Sequence, residues 1–393
     1  MSDAADVLVS DREEVAILHR ELLPLRRRRT EDLLYVIHHL LVSLRLFRQL
    51  LQIKTFSSLA AAITSPVTGK NVTLFAGDEY GITFDCVDFY KQPAFDHPLL
   101  KNLSLEFKPT STRDGMDKKP SSAETLKSPK RCPEGTVLIR RTKREDLIRA
   151  RRYGQQVQAI RPQDTNTDEH SAGVRFTSEG GPMYYGAEAS LDVFQLKGLL
   201  NNQASASQII LTKGEKGPRN SLNAVDFTVE GDNLTHFFTY WTSNGYLGTG
   251  CYNMLCSGFL QASRELAPGQ VYTGNSLTLK IYKDRLGNWN LDRDSERIGF
   301  WPKAIFSNMG DASMVEMGGN VRSPMGLASP AMGSGKAVKA VMRDINMVDG
   351  QGNLYRADSS KLKLINDLGP PYYIANYDSF NLYYGGPGGW KKA

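Results

Sequence analysis

The sequence predicts a mainly β protein: an antiparallel two-sheet β-sandwich, preceded by a small mixed α/β region and a helical N-terminal extension. Three observations lead to that reading. The run from Phe237 to Phe259 opens with Phe-Phe-Thr-Tyr-Trp-Thr, aromatic and β-branched residues that suit a pleated surface better than a helix. Between Tyr185 and Phe194, Ala187, Ala189, Leu191 and Val193 alternate with Glu188, Ser190 and Asp192, the period of a strand with one face in a core. The chain also holds 35 Gly, 17 Tyr and 16 Phe, a composition suited to many strands joined by turns.

Residues 1–75 read as the helical extension. Thr30 followed by Glu31 and Asp32 supplies a cap and acids for a first turn. Leu33, Ile37, Leu40, Leu44, Phe47 and Leu51 then recur at spacings of four and three. A helix packed on the protein, a coiled coil and a membrane-surface helix anchored by Arg26–Arg29 all satisfy that pattern. A bilayer span does not, because His38, His39, Arg45 and Arg48 interrupt a stretch that is already short.

Residues 76–152 form the second region. Ile82, Phe84 and Val87 suggest a short strand, and Pro93 and Pro98 stop any helix there. From Lys108 to Lys130 few apolar residues are available for burial, as in a linker, whereas Glu145–Arg152 reads as helical. Arg113 to Arg152 carries thirteen Lys or Arg against six Asp or Glu, while the whole chain carries only +6. The remainder is therefore close to neutral, which excludes a general polyanion binder. The stretch itself reads as an exposed, protease-sensitive linker, with a nucleic-acid or membrane patch as the alternative.

From 153 to 393 the pattern is β. Gln208–Thr212, Ser276–Tyr282, Asn288–Leu291, Met314–Val321 and Ala337–Val348 are further strands, and Asp284-Arg-Leu-Gly-Asn is a hairpin turn. Many antiparallel strands at this spacing fit a two-sheet sandwich. Cys86, Cys132, Cys251 and Cys256 are an even set that allows two disulfides. Gly245, Gly248 and Gly250 bend the chain so that Cys251 and Cys256, five positions apart, staple a tight loop. The six His lie nowhere near the cysteines at zinc-site spacing, so neither metal nor cofactor is expected.

Aromatic strand, glycine loop and Cys-x-x-x-x-Cys, in that order, are similar to the core signature of the neprosin family, secreted glutamate-type peptidases with a prolyl preference. Lys91 to Asn102 resembles the family's activation-peptide signature, and Cys132-Pro-Glu-Gly-Thr-Val-Leu-Ile-Arg-Arg-Thr resembles its end. The resemblance runs roughly from 81 to 388, through Tyr383-Tyr-Gly-Gly-Pro-Gly. It implies an activation-peptide-like region over 76–152, a Cys86–Cys132 bridge as one way to close it, and a mature domain beginning near Arg151-Arg152. It also implies an extracellular or vacuolar location, supported weakly by sequons at Asn71, Asn102 and Asn233. The start, Met-Ser-Asp-Ala-Ala-Asp, shows no signal peptide, so the localisation signals conflict. Family members usually carry a further C-terminal disulfide, whereas Gly369-Pro-Pro-Tyr and Gly388-Gly-Trp-Lys-Lys-Ala contain no Cys.

Glutamate peptidases need two carboxylates converging on one water, one ionised to take its proton and one protonated to polarise the carbonyl. Close carboxyls share a proton because their charges repel, which fits an acidic working pH. The resemblance implies one glutamate in an Asn-Ser-Ile-Glu strand and a second in a Gly-Gly-Glu-Val segment after a Trp-Pro motif. The matching stretches are Asn220-Ser-Leu-Asn223 and, after Trp301-Pro302, Gly318-Gly-Asn320-Val. Asn223 and Asn320 thus keep the shape of the expected pair and cannot exchange its proton. Glu316 lies four residues before Asn320, which puts both on one face of an unbroken strand unless Gly318-Gly319 forms a bulge. Asp226, three after Asn223, faces the other way. Either acid also reads as an ordinary surface carboxylate.

The function expected is a neprosin-type protein with impaired catalysis and a retained cleft for a proline-containing peptide or protein ligand. An active acid endopeptidase cutting after proline, working through Glu316, is the first alternative. A carbohydrate- or wall-binding module using Tyr240, Trp241 and Tyr246 is the second; burial of Trp241 would remove it. Nucleic acid is not an expected partner, and oligomeric state is not legible. Gly333-Ser-Gly-Lys336 lacks the first Gly and closing Ser or Thr of a phosphate loop. His170 and His236 accompany no nucleophile motif, and His236 reads as a strand residue beside Phe237.

Overall fold

Two large sheets lie face to face in the computed structural model. It describes residues 73–74, 80–101, 131–148, 167–179, 181–200, 203–214, 220–226 (backbone only), 234–243, 251–336, 339–366 and 371–391. The helical reading of 1–75, the linker, the Arg151-Arg152 boundary, the sequons and Tyr246 all fall outside these residues, apart from Thr73–Leu74.

The strands begin with a small sheet of β1 (Thr73–Leu74), β2 (Phe84–Asp88) and β3 (Thr136–Arg140). The middle of the chain supplies β4 (Thr167–Thr177), β5 (Gly186–Asp192), β6 (Ala204–Lys213), β7 (Asn220–Asp226), β8 (Phe237–Thr242), β9 (Cys251–Tyr252) and β10 (Leu260–Gln261). Next come β11 (Ser276–Lys283), β12 (Trp289–Arg293), β13 (Glu296–Trp301), β14 (Met314–Pro324) and β15 (Ala340–Val348). The chain closes with β16 (Leu354–Tyr355), β17 (Leu362–Asn366), β18 (Tyr373–Tyr377) and β19 (Leu382–Gly385). A seven-stranded sheet has the order β17-β4-β14-β6-β7-β8-β9, and a nine-stranded one runs β10-β13-β12-β11-β5-β15-β19-β18 with β16 on β15. Every pairing is antiparallel.

The inner faces bury one core. Val174, Phe176, Ile209, Leu211, Val315 and Met317 of the seven-stranded sheet meet Ala187, Ala189, Leu191, Leu279, Ile281 and Leu291 of the other. The alternation read along β5 is the burial pattern found there. The Asp284 turn joins β11 to β12, with the Asp284 carboxylate accepting from Asn288 N–H at 2.8 Å.

Trp241 corrects an expectation. As a cleft aromatic it was to be exposed; its indole is only 3% exposed, belongs to the intersheet core and packs edge-on to Phe306. The reason is register, since Phe237 and Trp241 occupy inward positions of β8 and Tyr240 the next outward one. Gly258, at φ +134°, leaves the space the indole ring fills.

Residues 71–393 form one compact unit, and within it the described parts of 76–152 (80–101 and 131–148) pack on the sandwich. Cys86, Cys132, Ile82, Phe84 and Leu138 bury against Ala267 and Val271. Leu138 N–H donates to Ser263 O at 3.1 Å, and the Gln92 amide bridges to both backbone groups of Gln261. Cys86–Cys132 and Cys251–Cys256 are both bonded, at Cα separations of 5.5 and 5.8 Å.

Candidate functional site

The outer face of the seven-stranded sheet carries the residues of interest, because odd positions of β4 and even positions of β14 and β6 point away from the core. Asn320 pairs with Ser171 on one side and Ala206 on the other. Glu316 pairs with Arg175 and Ile210, and Ile210 in turn pairs with Asn223. Register is continuous from Met314 to Pro324, so the Gly318-Gly319 pair introduces no bulge and Glu316 and Asn320 share a face.

The same ladder places Asn223 on that face by parity. One row across the sheet reads Arg175, Glu316, Ile210, Asn223, Tyr240, Tyr252. Asn223 and Glu316 are therefore two strands apart, about 10 Å between Cα atoms. Asn320 stands four residues along β6 from that row, which ladder geometry converts to a Cα separation from Asn223 of about 16 Å. The two share a face as expected but lie farther apart than the roughly 10 Å expected of a pair converging on one water. Gly173, Gly318, Gln208, Val225 and Phe238 make the row between them. Asp226 takes the opposite parity, opposite Phe237.

Four residues that the sequence did not single out engage positions 320 and 316. Asn320 Nδ2 donates to Glu169 Oε1 at 2.8 Å and to Ser171 Oγ at 3.0 Å. Arg322 Nη2 donates to the other oxygen of Glu169 at 2.9 Å. Arg175 donates through Nε to Glu316. Asn320 and Arg322 are 4% and 3% exposed, whereas Glu169 and Glu316 keep partial solvent contact. Three of the four lie on β4, whose signal was present: Ala172, Val174 and Phe176 alternate with Ser171, Gly173 and Arg175.

The face changes character across its width. The β4–β14 half is polar, with two arginine–carboxylate pairs. The β8–β9 half is aromatic and closed: Tyr240 and Tyr252 are each 4% exposed, and Phe238 and Tyr252 have ring centroids 5.0 Å apart. The stapled Cys251 begins β9 at that end, with Cys251 paired to Trp241. His236 is buried in an isolated bridge with Val271. Among the described residues no cluster of His, Cys, Asp and Glu has the composition of a metal site, and no helix is long and apolar enough to cross a membrane.

A family model described as Neprosin matches residues 201–387, and one described as Neprosin activation peptide matches 78–178. The second match extends through β4, the strand that carries Glu169, Ser171 and Arg175 and that pairs with β14 and β17 in the seven-stranded sheet. Among solved structures, the chain is similar to Scytalido-glutamic peptidase with a peptide-based transition-state analogue, at 9% identity over 56% of this chain and 98% of that one, TM-score 0.32. It is also similar to SCP-B, a member of the Eqolisin family of peptidases in complex with the tripeptide Ala-Ile-His, at 7% identity, the same coverages and TM-score 0.31.

Proposed function

The chain belongs to the neprosin family, a peptidase family, and from that premise we propose that it binds proline-containing peptides on the outer face of the seven-stranded sheet with little or no hydrolysis. The observation that carries this is the residue pair itself: Asn223 and Asn320 stand where the family resemblance implies two glutamates. An amide neither takes a proton from water nor delivers one to a leaving amine. The site's surroundings support the reading. Asn320 spends both amide hydrogens on Glu169 and Ser171. Glu169 uses both carboxylate oxygens as acceptors, and Glu316 is engaged by Arg175.

Positioned proton transfer contributes about 10² to 10⁴-fold per group. Recombinant protein on a proline-containing peptide, assayed from acidic to neutral pH, is expected to show no turnover above background. The double change Asn223→Glu with Asn320→Glu is expected to restore measurable cleavage at acidic pH. Turnover by the unmodified protein refutes the proposal.

One observation favours a second reading. Glu316 shares the ladder row of Asn223, so an acid-acting endopeptidase built on Glu316 keeps a carboxylate within reach of that position. A carbohydrate platform on Tyr240 and Trp241 is not carried forward, because Tyr240 is 4% exposed and the Trp241 indole is in the core.

A further inference from the structure

We infer that position 320 offers its ligand a hydrogen-bond acceptor and not a donor, that Glu169 fixes this polarity, and that the matching group is a backbone N–H of an extended peptide. The peptide identity rests on the function proposed above; the polarity rests on the geometry alone.

An ionised carboxylate only accepts hydrogen bonds. The Asn320 atom 2.8 Å from Glu169 Oε1 is therefore the amide nitrogen, and the orientation of the amide is determined. That nitrogen has two hydrogens, and the second goes to Ser171 Oγ at 3.0 Å. Arg322 holds the other oxygen of Glu169 at 2.9 Å, so Glu169 is itself fixed. Nothing is left to donate. What remains is Oδ1, with two lone pairs and no hydrogen bond from any described residue, on a side chain 4% exposed. Oδ1 is the one polar group of this amide left to meet solvent or a ligand.

The chemical consequence is a reversal. A protonated acid at this position would donate to a substrate carbonyl and polarise it. The locked amide turns a carbonyl oxygen away and accepts an N–H. Peptide backbone supplies both groups in alternation, so a bound strand shifts its register to bring an N–H to Asn320. Glu169 is thus a positioning residue, acting through Asn320.

The test uses the full chain and two readouts. In ¹⁵N spectra of the free protein, the Asn320 side-chain amide, identified by its loss in Asn320→Asp, is expected to show two hydrogens protected from water exchange. Protection is expected to fall in Glu169→Ala. The second readout is binding of an acetylated, amidated hexapeptide with one central proline, compared with its single N-methyl analogues. One analogue is expected to bind roughly 3- to 10-fold more weakly, the range of one net hydrogen bond, and the difference is expected to vanish in Asn320→Ala. An amide hydrogen open to water overturns the polarity. Binding without any N-methyl position that depends on Asn320 overturns the ligand assignment. If the unmethylated peptide does not bind at all, the peptide-binding function falls and takes the assigned ligand with it, while amide exchange still decides the polarity.

Discussion

Gly173 and Gly318 stand directly opposite each other on the β4–β14 ladder, and neither has room for a side chain. A Cβ on Gly318 would overlap the carbonyl oxygen of Ala172, and one on Gly173 the carbonyl of Met317. Gly318 also sits at φ +153°, a conformation L-residues rarely adopt. The obstacle is backbone, which cannot rotate aside. Gly318→Ala is therefore expected to cost about 1–3 kcal/mol or more by chemical denaturation. Gly310→Ala, where an added Cβ meets nothing within 4 Å, is the control and is expected to stay within about 0.5 kcal/mol.

The two disulfides are expected to differ in worth. Cys86–Cys132 spans 46 positions and Cys251–Cys256 only 5. The chain-entropy relation gives about 4 kcal/mol for the first loop and about 2 kcal/mol for the second. Replacing each pair by Ala should reproduce that order in denaturation midpoints. Equal losses would contradict the chain-entropy account, since Cys86 and Cys132 are both fully buried and their replacement adds a packing loss to the larger entropic one.

Glu296 should make stability fall as pH rises. Burial pushes its carboxyl up from the ordinary value, opposed by the hydrogen bond from Ser263 and by Arg293 and Arg131, and reinforced by Glu265. A folded-state value above the unfolded one means the native state holds the proton longer, so the contribution is fully present below the unfolded value and lost as pH climbs through the folded one. Glu296→Gln removes the charge at nearly constant shape. Its melting temperature relative to the native chain is expected to rise as pH climbs from the ordinary carboxylate range and to level off once the folded-state value is passed. A difference that stays flat or shrinks contradicts the assignment.

How much of this was legible in the residues varies with the kind of signal. The β5 alternation was readable because one face is buried and the other wet. β8 was readable as a strand, yet all six of its residues are buried, so no alternation told Trp241 in the core from Tyr240 on the outer face. Position 320 could be found from its neighbours in sequence. Its partners could not, since Glu169 and Asn320 are 151 positions apart and meet only through strand register. The Cys86–Cys132 pairing was likewise open until β2 and β3 brought the two together.

The last prediction separates the two readings of the face. If Asn223 and Asn320 mark the lost catalytic pair, the revertant Asn223→Glu with Asn320→Glu regains turnover, and adding Glu316→Gln to it leaves that turnover within a few-fold. The reason is that Glu316 is already committed to Arg175 and stands four residues along β14 from position 320. If Glu316 is the working acid, the unmodified chain cleaves the proline-containing peptide and Glu316→Gln abolishes the cleavage by about 10² to 10⁴-fold, the contribution of one positioned acid or base. Arg175→Gln sharpens the contrast, since it frees Glu316 without touching either asparagine. Under the first reading it leaves the chain inactive; under the second it changes the pH profile of cleavage. Glu316 and Asn223 share one row about 10 Å apart, a gap that a water and a peptide carbonyl can bridge, whereas Asn320 stands about 16 Å from Asn223, so strand spacing favours Glu316. The arginine is what weighs against Glu316, and the Arg175→Gln assay measures that weight directly.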